Sequence, residues 1–139
     1  MIVIDTNVVS ELMRPSPASV VVSWIRSQPD HELYTTSITV AEIGYGIERL
    51  PEGRRKRLLQ TTAEQVFATF AEQVLPFDTA AATQYATIAS AREQAGTPID
   101  GFDAQIASVC RAHQAALATR NLKDFLGTGV EVLDPWAQT

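Results

Sequence analysis

The chain opens on three consecutive apolar residues, Ile2-Val3-Ile4. An apolar run without alternation is the pattern of a short strand covered on both faces. Helical spacing follows in Val8, Val9 and Leu12, until Arg14-Pro15-Ser16-Pro17 breaks it. Val21, Trp24 and Ile25 stand at i, i+3 and i+4, which predicts a second helix over residues 18–27, closed by Pro29. Residues 32–36 read as a strand, and residues 37–50 as a helix with Ile43, Ile47 and Leu50 inward and Pro51 as its stop. The stretch 52–72 carries Leu58, Leu59, Val66, Phe67 and Phe70 and reads as one or two helices. Residues 74–77 read as a short strand, and Asp78 is placed to cap a helix reaching Gly96. Helical periodicity over 100–114, a strand over 116–119, a short helical turn over 121–126 and a last strand over 130–133 complete the chain.

Strands and helices alternate throughout, which predicts an α/β sandwich with a mainly parallel sheet. In such folds ligands collect at the carboxyl ends of the strands. A length of 139 residues with 45% hydrophobic content suits one domain, 1–139, with a core that needs no staple. Cys110 is the only cysteine. It permits no intrachain disulfide and no thiolate metal cluster, which suits a reducing cytoplasm. The amino terminus lacks the features of a secretory leader, and no apolar run reaches the roughly 18 residues that span a bilayer, so a cytoplasmic, non-membrane protein is expected. The net charge of −5 counts against gripping a phosphate backbone through bulk positive potential. Any nucleic-acid substrate must therefore be held by local features.

Asp5 follows the first strand directly, at the edge where a parallel sheet builds its site, and it could equally cap the next helix. Glu42 lies one residue off the apolar stripe of its helix. Thr39-Val40-Ala41-Glu42 also matches a capping box, with Glu42 bonding back to Thr39. Asp103 heads a stripe of Ile106, Ala107 and Cys110, while Asp100 is placed to cap the same helix. Asp124, in the turn after the fourth strand, can reach the strand ends or stand in solvent. Acids gathered at one sheet edge would repel each other unless a divalent cation held them ionised. Mg2+ or Mn2+ suits such an oxygen-only set, and the chemistry it points to is in-line phosphodiester hydrolysis. His31 and His113 fit no ligand spacing, and Cys110 reads as core. Arg49 and the run Arg54-Arg55-Lys56-Arg57 form a basic cluster that can be a solvated face, whereas Arg120 and Lys123 flank Asn121 near the proposed site.

Taken together, Ile4-Asp5-Thr6-Asn7, then residues 39–46 (TVAEIGYG), then Phe102-Asp103-Ala104-Gln105-Ile106-Ala107, then Ala118-Thr119-Arg120-Asn121 with Asp124-Phe125 resemble the PIN-domain ribonucleases of the VapC and FitB type. The resemblance runs in order from first strand to last. It implies a three-layer α/β/α sandwich and a Mg2+- or Mn2+-dependent endoribonuclease acting as the toxin of a type II toxin–antitoxin pair. The implied partners are RNA, a small antitoxin protein and a second copy of the chain in a homodimer. It also implies that Asp5, Glu42, Asp103 and Asp124 are catalytic and hold the metal, with Thr6, Asn7, Thr119, Arg120 and Asn121 as substrate-contacting or supporting residues. Gly44 and Gly46 cost helix stability, so close packing against another backbone is expected there.

Two other readings compete. Ile2 to Val9 is loosely similar to the nucleophile loop of HAD-type phosphatases, but Asn7 stands where that loop has its second Asp. A PIN-like binding module acting beside a DNA-binding partner is the other.

Overall fold

In the computed structural model, which describes residues 1–137, the strands are β1 (Ile2–Ile4), β2 (Leu33–Thr36), β3 (Val74–Leu75), β4 (Ala116–Ala118) and β5 (Val132–Leu133). The helices are α1 (Thr6–Leu12), α2 (Ser19–Arg26), α3 (Ser37–Glu48), α4 (Arg54–Phe70), α5 (Thr79–Gln94) and α6 (Gly101–His113). Two short 3-10 turns, Asp30–Glu32 and Leu122–Phe125, complete the set. The stretch after Pro51 is thus a single helix, and the last strand begins at Val132, two residues later than the apolar pattern predicts.

All pairings are parallel, and the strand order is β3-β2-β1-β4-β5. Neighbouring residues on one strand point to opposite faces, and the two cores divide accordingly. Val3 and Leu117 pack with Ile88 of α5 and Ile106 and Val109 of α6. Ile4 and Ala118 pack with Val8 and Val9 of α1, Val21 of α2, Ile43 and Ile47 of α3 and Phe70 of α4. The result is a three-layer α/β/α sandwich with both sheet faces covered, which is why β1 is apolar at every position.

From β1 the chain winds outward through β2 and β3, then returns to the other side of β1 with β4 and β5. The carboxyl ends of β1 and β4 therefore flank the point where winding reverses, and a crevice opens there. Asp5 and Thr119 are the residues that immediately follow these two strands.

Two surface expectations change. Arg54, Arg55 and Arg57 are exposed, but Lys56 turns inward and is only 4% exposed. Its ammonium donates to Glu52 Oε1 at 2.7 Å and to the Glu48 carbonyl at 3.1 Å, tying the start of α4 to the end of α3. The basic run is therefore not one solvated face. Within the single chain, among the described residues, no backbone packs against Gly44 or Gly46: a Cβ at either position would meet nothing within 4 Å.

Candidate functional site

The crevice is built first from hydroxyls and amides. Asp5 is 3% exposed, and both of its carboxylate oxygens have donors. Oδ1 accepts the Thr6 amide at 2.8 Å, as an N-cap does, and Oδ2 accepts the Thr119 hydroxyl at 2.7 Å. Capping and a place in the site are compatible for this residue. Thr119 has one proton to give and gives it to Asp5, so its oxygen is free to accept Asn7 Nδ2 at 3.0 Å and the Asn121 amide at 3.1 Å. Asn7 Oδ1 in turn accepts the Arg120 amide at 3.3 Å. The turn after β4 is thereby fastened to the start of α1. Burial raises the pKa of Asp5, the Thr119 and Thr6 donors oppose that rise, and the charge of Asp124 adds to it.

Glu42 is held by a second hydroxyl chain. Its Oε1 accepts from Thr6 Oγ1 at 2.8 Å, so the Thr39 hydroxyl, 3.0 Å from Thr6, is the donor in that contact. The capping-box reading is overturned. The N-cap of α3 is Thr36, whose oxygen accepts the Thr39 amide at 3.2 Å, and Glu42 lies in the second turn. Thr36 wins because β2 runs straight into α3: its extended backbone, φ −125° and ψ 158°, is already that of a cap. The Glu42 carboxyl is thus free to face the crevice. Its pKa is raised by burial, against the Thr6 donor and with the charges of Asp5 and Asp100.

Asp103 is different. It sits in the first turn of α6, capped by Asp100, whose Oδ2 accepts the amides of Phe102 and Asp103 at 3.1 and 3.4 Å. Among the described residues, the half-buried Asp103 carboxyl has no hydrogen-bond donor and no cation. Burial, and then the charges of Asp5, Asp100, Asp124 and Glu42, push its pKa up to about 7.

Asp5, Thr6, Asn7, Glu42, Asp103, Arg120 and Asn121 line one open cavity of about 530 Å³. Thr119 is buried behind Asp5. Asp124 is exposed and borders a separate pocket with Arg120 and Lys123, yet its charge bears on both Asp5 and Asp103. Among the described residues, no three acidic, His or Cys side chains stand as placed around one point at ligand distance. The donor set is nevertheless one of oxygens alone, with an uncompensated carboxyl at its centre, and that fits a hard divalent cation. His31 and His113 are exposed, and Cys110 is fully buried, its thiol pushed well above its ordinary pKa by that burial.

Sequence reasoning missed part of the cavity's lining. Ser10, Glu11, Arg14 and Trp136 line the same cavity. The buried Glu11 accepts the Ala18 amide at 2.9 Å and the Arg14 guanidinium at 3.3 Å, while Arg120 lies over the Trp136 ring, 4.8 Å from its centroid. Asn7, Ser10, Glu11 and Arg14 follow one another at helical spacing, a polar stripe that could have been found. Trp136 lies beyond the last strand, where no local pattern marks it. A second groove, more apolar and lined by Met13, Ile43, Ile47, Leu50, Leu58 and Leu59, opens into the first through Thr6, Ser10, Arg14 and Glu42.

Fold and crevice together define a class: a doubly wound parallel α/β domain with a carboxylate-lined cleft at its topological switch point. The chain belongs to the PIN domain family, whose model matches residues 2–127. It is 38% identical over 137 residues to the VapC ribonuclease Y4jK of Sinorhizobium fredii, with 98% of each chain covered. It is 39% identical over 137 residues to the toxin FitB of Neisseria gonorrhoeae, covering 98% of this chain and 99% of that one. The solved structure of FitAB bound to an IR36 DNA fragment superposes with a TM-score of 0.91 at 38% identity, over 100% of this chain and 98% of that chain. Membership of this family displaces the HAD-type reading, and the three-layer fold it implies is the one observed.

Proposed function

We propose that this protein is a divalent-metal-dependent endoribonuclease, the toxin of a toxin–antitoxin pair, acting in the cytoplasm. The observation that carries the reading is Asp103, half-buried and donor-less in a cleft it shares with Asp5 and Glu42, its pKa pushed up to about 7 by burial and four neighbouring acids. The names of its relatives, a ribonuclease and a toxin, support the same assignment.

In this reading Asp5, Glu42 and Asp103 hold Mg2+ or Mn2+, and Asp124 completes the set from the cleft's edge. Held by these residues, such an ion would supply positive charge beside the phosphodiester and lower the pKa of a bound water. The remaining work belongs to the chain. Thr119 and Thr6 fix Asp5 in one orientation and oppose the rise in its pKa that burial causes, because each donates to its charged form. Thr6, itself receiving from Thr39, fixes Glu42. Asn7 and Asn121 lock the turn that presents Arg120, and Arg120 and Arg14, which line the same cavity as the acids, engage backbone phosphates. With the net charge of −5, phosphate contact then depends on these two side chains and the bound cation rather than on bulk potential.

The solved relative is a complex, FitAB on DNA, which supports an antitoxin partner for this chain. The apolar groove beside the acids suits a partner segment that would block the cleft from one side. A homodimer is the further expectation, checked by sedimentation of the antitoxin-free protein.

The deciding experiment incubates purified, antitoxin-free protein with total cellular RNA in Mg2+, Mn2+ or EDTA, beside Asp5→Asn. Discrete metal-dependent products absent from the variant are the expected result. A folded, metal-loaded protein that leaves all RNA intact would turn the assignment toward a binding role.

A further inference from the structure

Arg92, near the end of α5, is 8% exposed, and among the described residues it has no carboxylate partner. A buried cation without a counter-ion is expensive unless its donors are all satisfied. Here the Nε and Nη1 donors go to oxygens, three of them backbone carbonyls, of two separate segments. Nε donates to the Thr97 carbonyl at 2.6 Å and to the Thr97 hydroxyl at 3.2 Å. Nη1 donates to the carbonyls of Asp124 at 2.8 Å and Leu126 at 2.9 Å. Phe125 between those two carbonyls is 1% exposed and packed into the core, so the turn is pinned from below by its ring and from the side by the guanidinium. Gly127, in a left-handed conformation at φ +74°, lets the chain fold back against the Arg92 stem, 3.7 Å from where its Cβ would be.

The two gripped segments are those that deliver acids. Thr97 stands three residues before Asp100, the cap of the helix that carries Asp103, and the other segment carries Asp124 itself. One planar guanidinium thus bridges the entrance of α6 and the 3-10 turn, with donors diverging to both. An ammonium has no such fork. We propose that Arg92 is a positioning residue for the metal-dependent reaction, setting the distance of Asp124 from Asp103. The inference rests on the reading that these acids gather a divalent ion.

The test measures Mn2+ binding calorimetrically on RNA-free protein for wild type, Arg92→Lys, Asp124→Asn and the double variant, with circular dichroism and melting checking the fold of each. Arg92→Lys keeps the charge and loses the fork. It is expected to weaken Mn2+ binding by about tenfold, within the usual range for residues supporting metal ligands. Asp124→Asn should do likewise, and the double variant should bind no more weakly than Asp124→Asn alone. Wild-type affinity in Arg92→Lys, or an Arg92→Lys loss that persists undiminished in the Asp124→Asn background, would overturn the inference while leaving the metal reading intact. A wild type that binds no Mn2+ would take down both. Should Arg92→Lys not fold, the wild type still decides: Mg2+ is expected to shift the Arg92 Nε–H resonance, and to leave it unmoved in Asp124→Asn. An unshifted wild-type resonance sinks the proposal.

Discussion

The two sides of the acid cleft are built on opposite principles. Asp5 is nearly inaccessible, with a donor on each oxygen and a turn of chain fastened around it by Asn7, Thr119 and Asn121. Asp103 is more open, has no donor among the described residues and faces four acids. Burial raises the pKa of both, but only at Asp5 do protein donors push back. One side is preorganised by the chain, and the other is left without a partner. Under the proposed reading such a division is sensible chemistry: the fixed carboxylate would anchor the ion, and the ion would favour the charged form of Asp103.

The sharpest way to break the comparison is to remove charge on either side while keeping shape. Asp5→Asn and Asp103→Asn are each expected to lower RNA cleavage to the level of an EDTA control, measured with Mg2+ in excess. Glu42→Gln should do the same. Full cleavage by Asp103→Asn would mean that the open side is not part of the site. The next largest effect belongs to Thr119→Val, which removes the hydroxyl and keeps the volume. Loss of a supporting donor of this kind typically costs about 10–100-fold in activity or metal affinity, and Thr119→Ser should restore most of it. An unchanged rate in Thr119→Val would show that the Asp5 side does not depend on its hydrogen bonds.

A third test uses pH without metal. The folded pKa of Asp103 is about 7 against an ordinary value of 3.8, so between those limits the native state holds a proton that the unfolded chain has released. Stability must then fall as pH rises through that window. In EDTA the wild type should melt at lower temperature at pH 8 than at pH 5, Asp103→Asn should flatten that slope, and Mg2+ should restore the loss at pH 8. A slope identical in Asp103→Asn would assign the pH dependence to other acids.

How much of this was legible depended on how each residue came to matter. Strands and helices were readable because apolar periodicity reports the core directly: Val21, Trp24 and Ile25, or Ile43 and Ile47, face inward for the reason their spacing suggests. The place of Asp5 and Asp103 in the cleft was readable because each interrupts or heads such a pattern at the carboxyl edge of the sheet. Glu42 was read both as a site acid and as half of a capping box; the box fails, since Thr36 and Thr39 are both competent caps and only the direct passage of β2 into α3 selects between them. Glu11 could have been found from its polar stripe, but Arg92 and Trp136 could not be weighed. Their surroundings come from elements brought together by the fold, and nothing beside them in the chain records it.

The smallest predicted effect tests whether the comparison extends through α3, the helix that carries Glu42. Gly44 lies on its exposed side, two residues from Glu42, and a Cβ there meets nothing within 4 Å. Gly44→Ala should therefore stabilise the helix by about 1 kcal/mol, read as a rise in melting temperature of the antitoxin-free protein. Cleavage should stay unchanged, because Glu42 is positioned through Thr6 and Thr39 rather than through this face. Stabilisation accompanied by a lower rate would say that Glu42 reaches its working position only when α3 yields, and Glu42 would then belong with Asp103 on the open side. Destabilisation would point instead to a second copy of the chain packed against this face in solution, and sedimentation of Gly44→Ala beside the wild type separates the two cases.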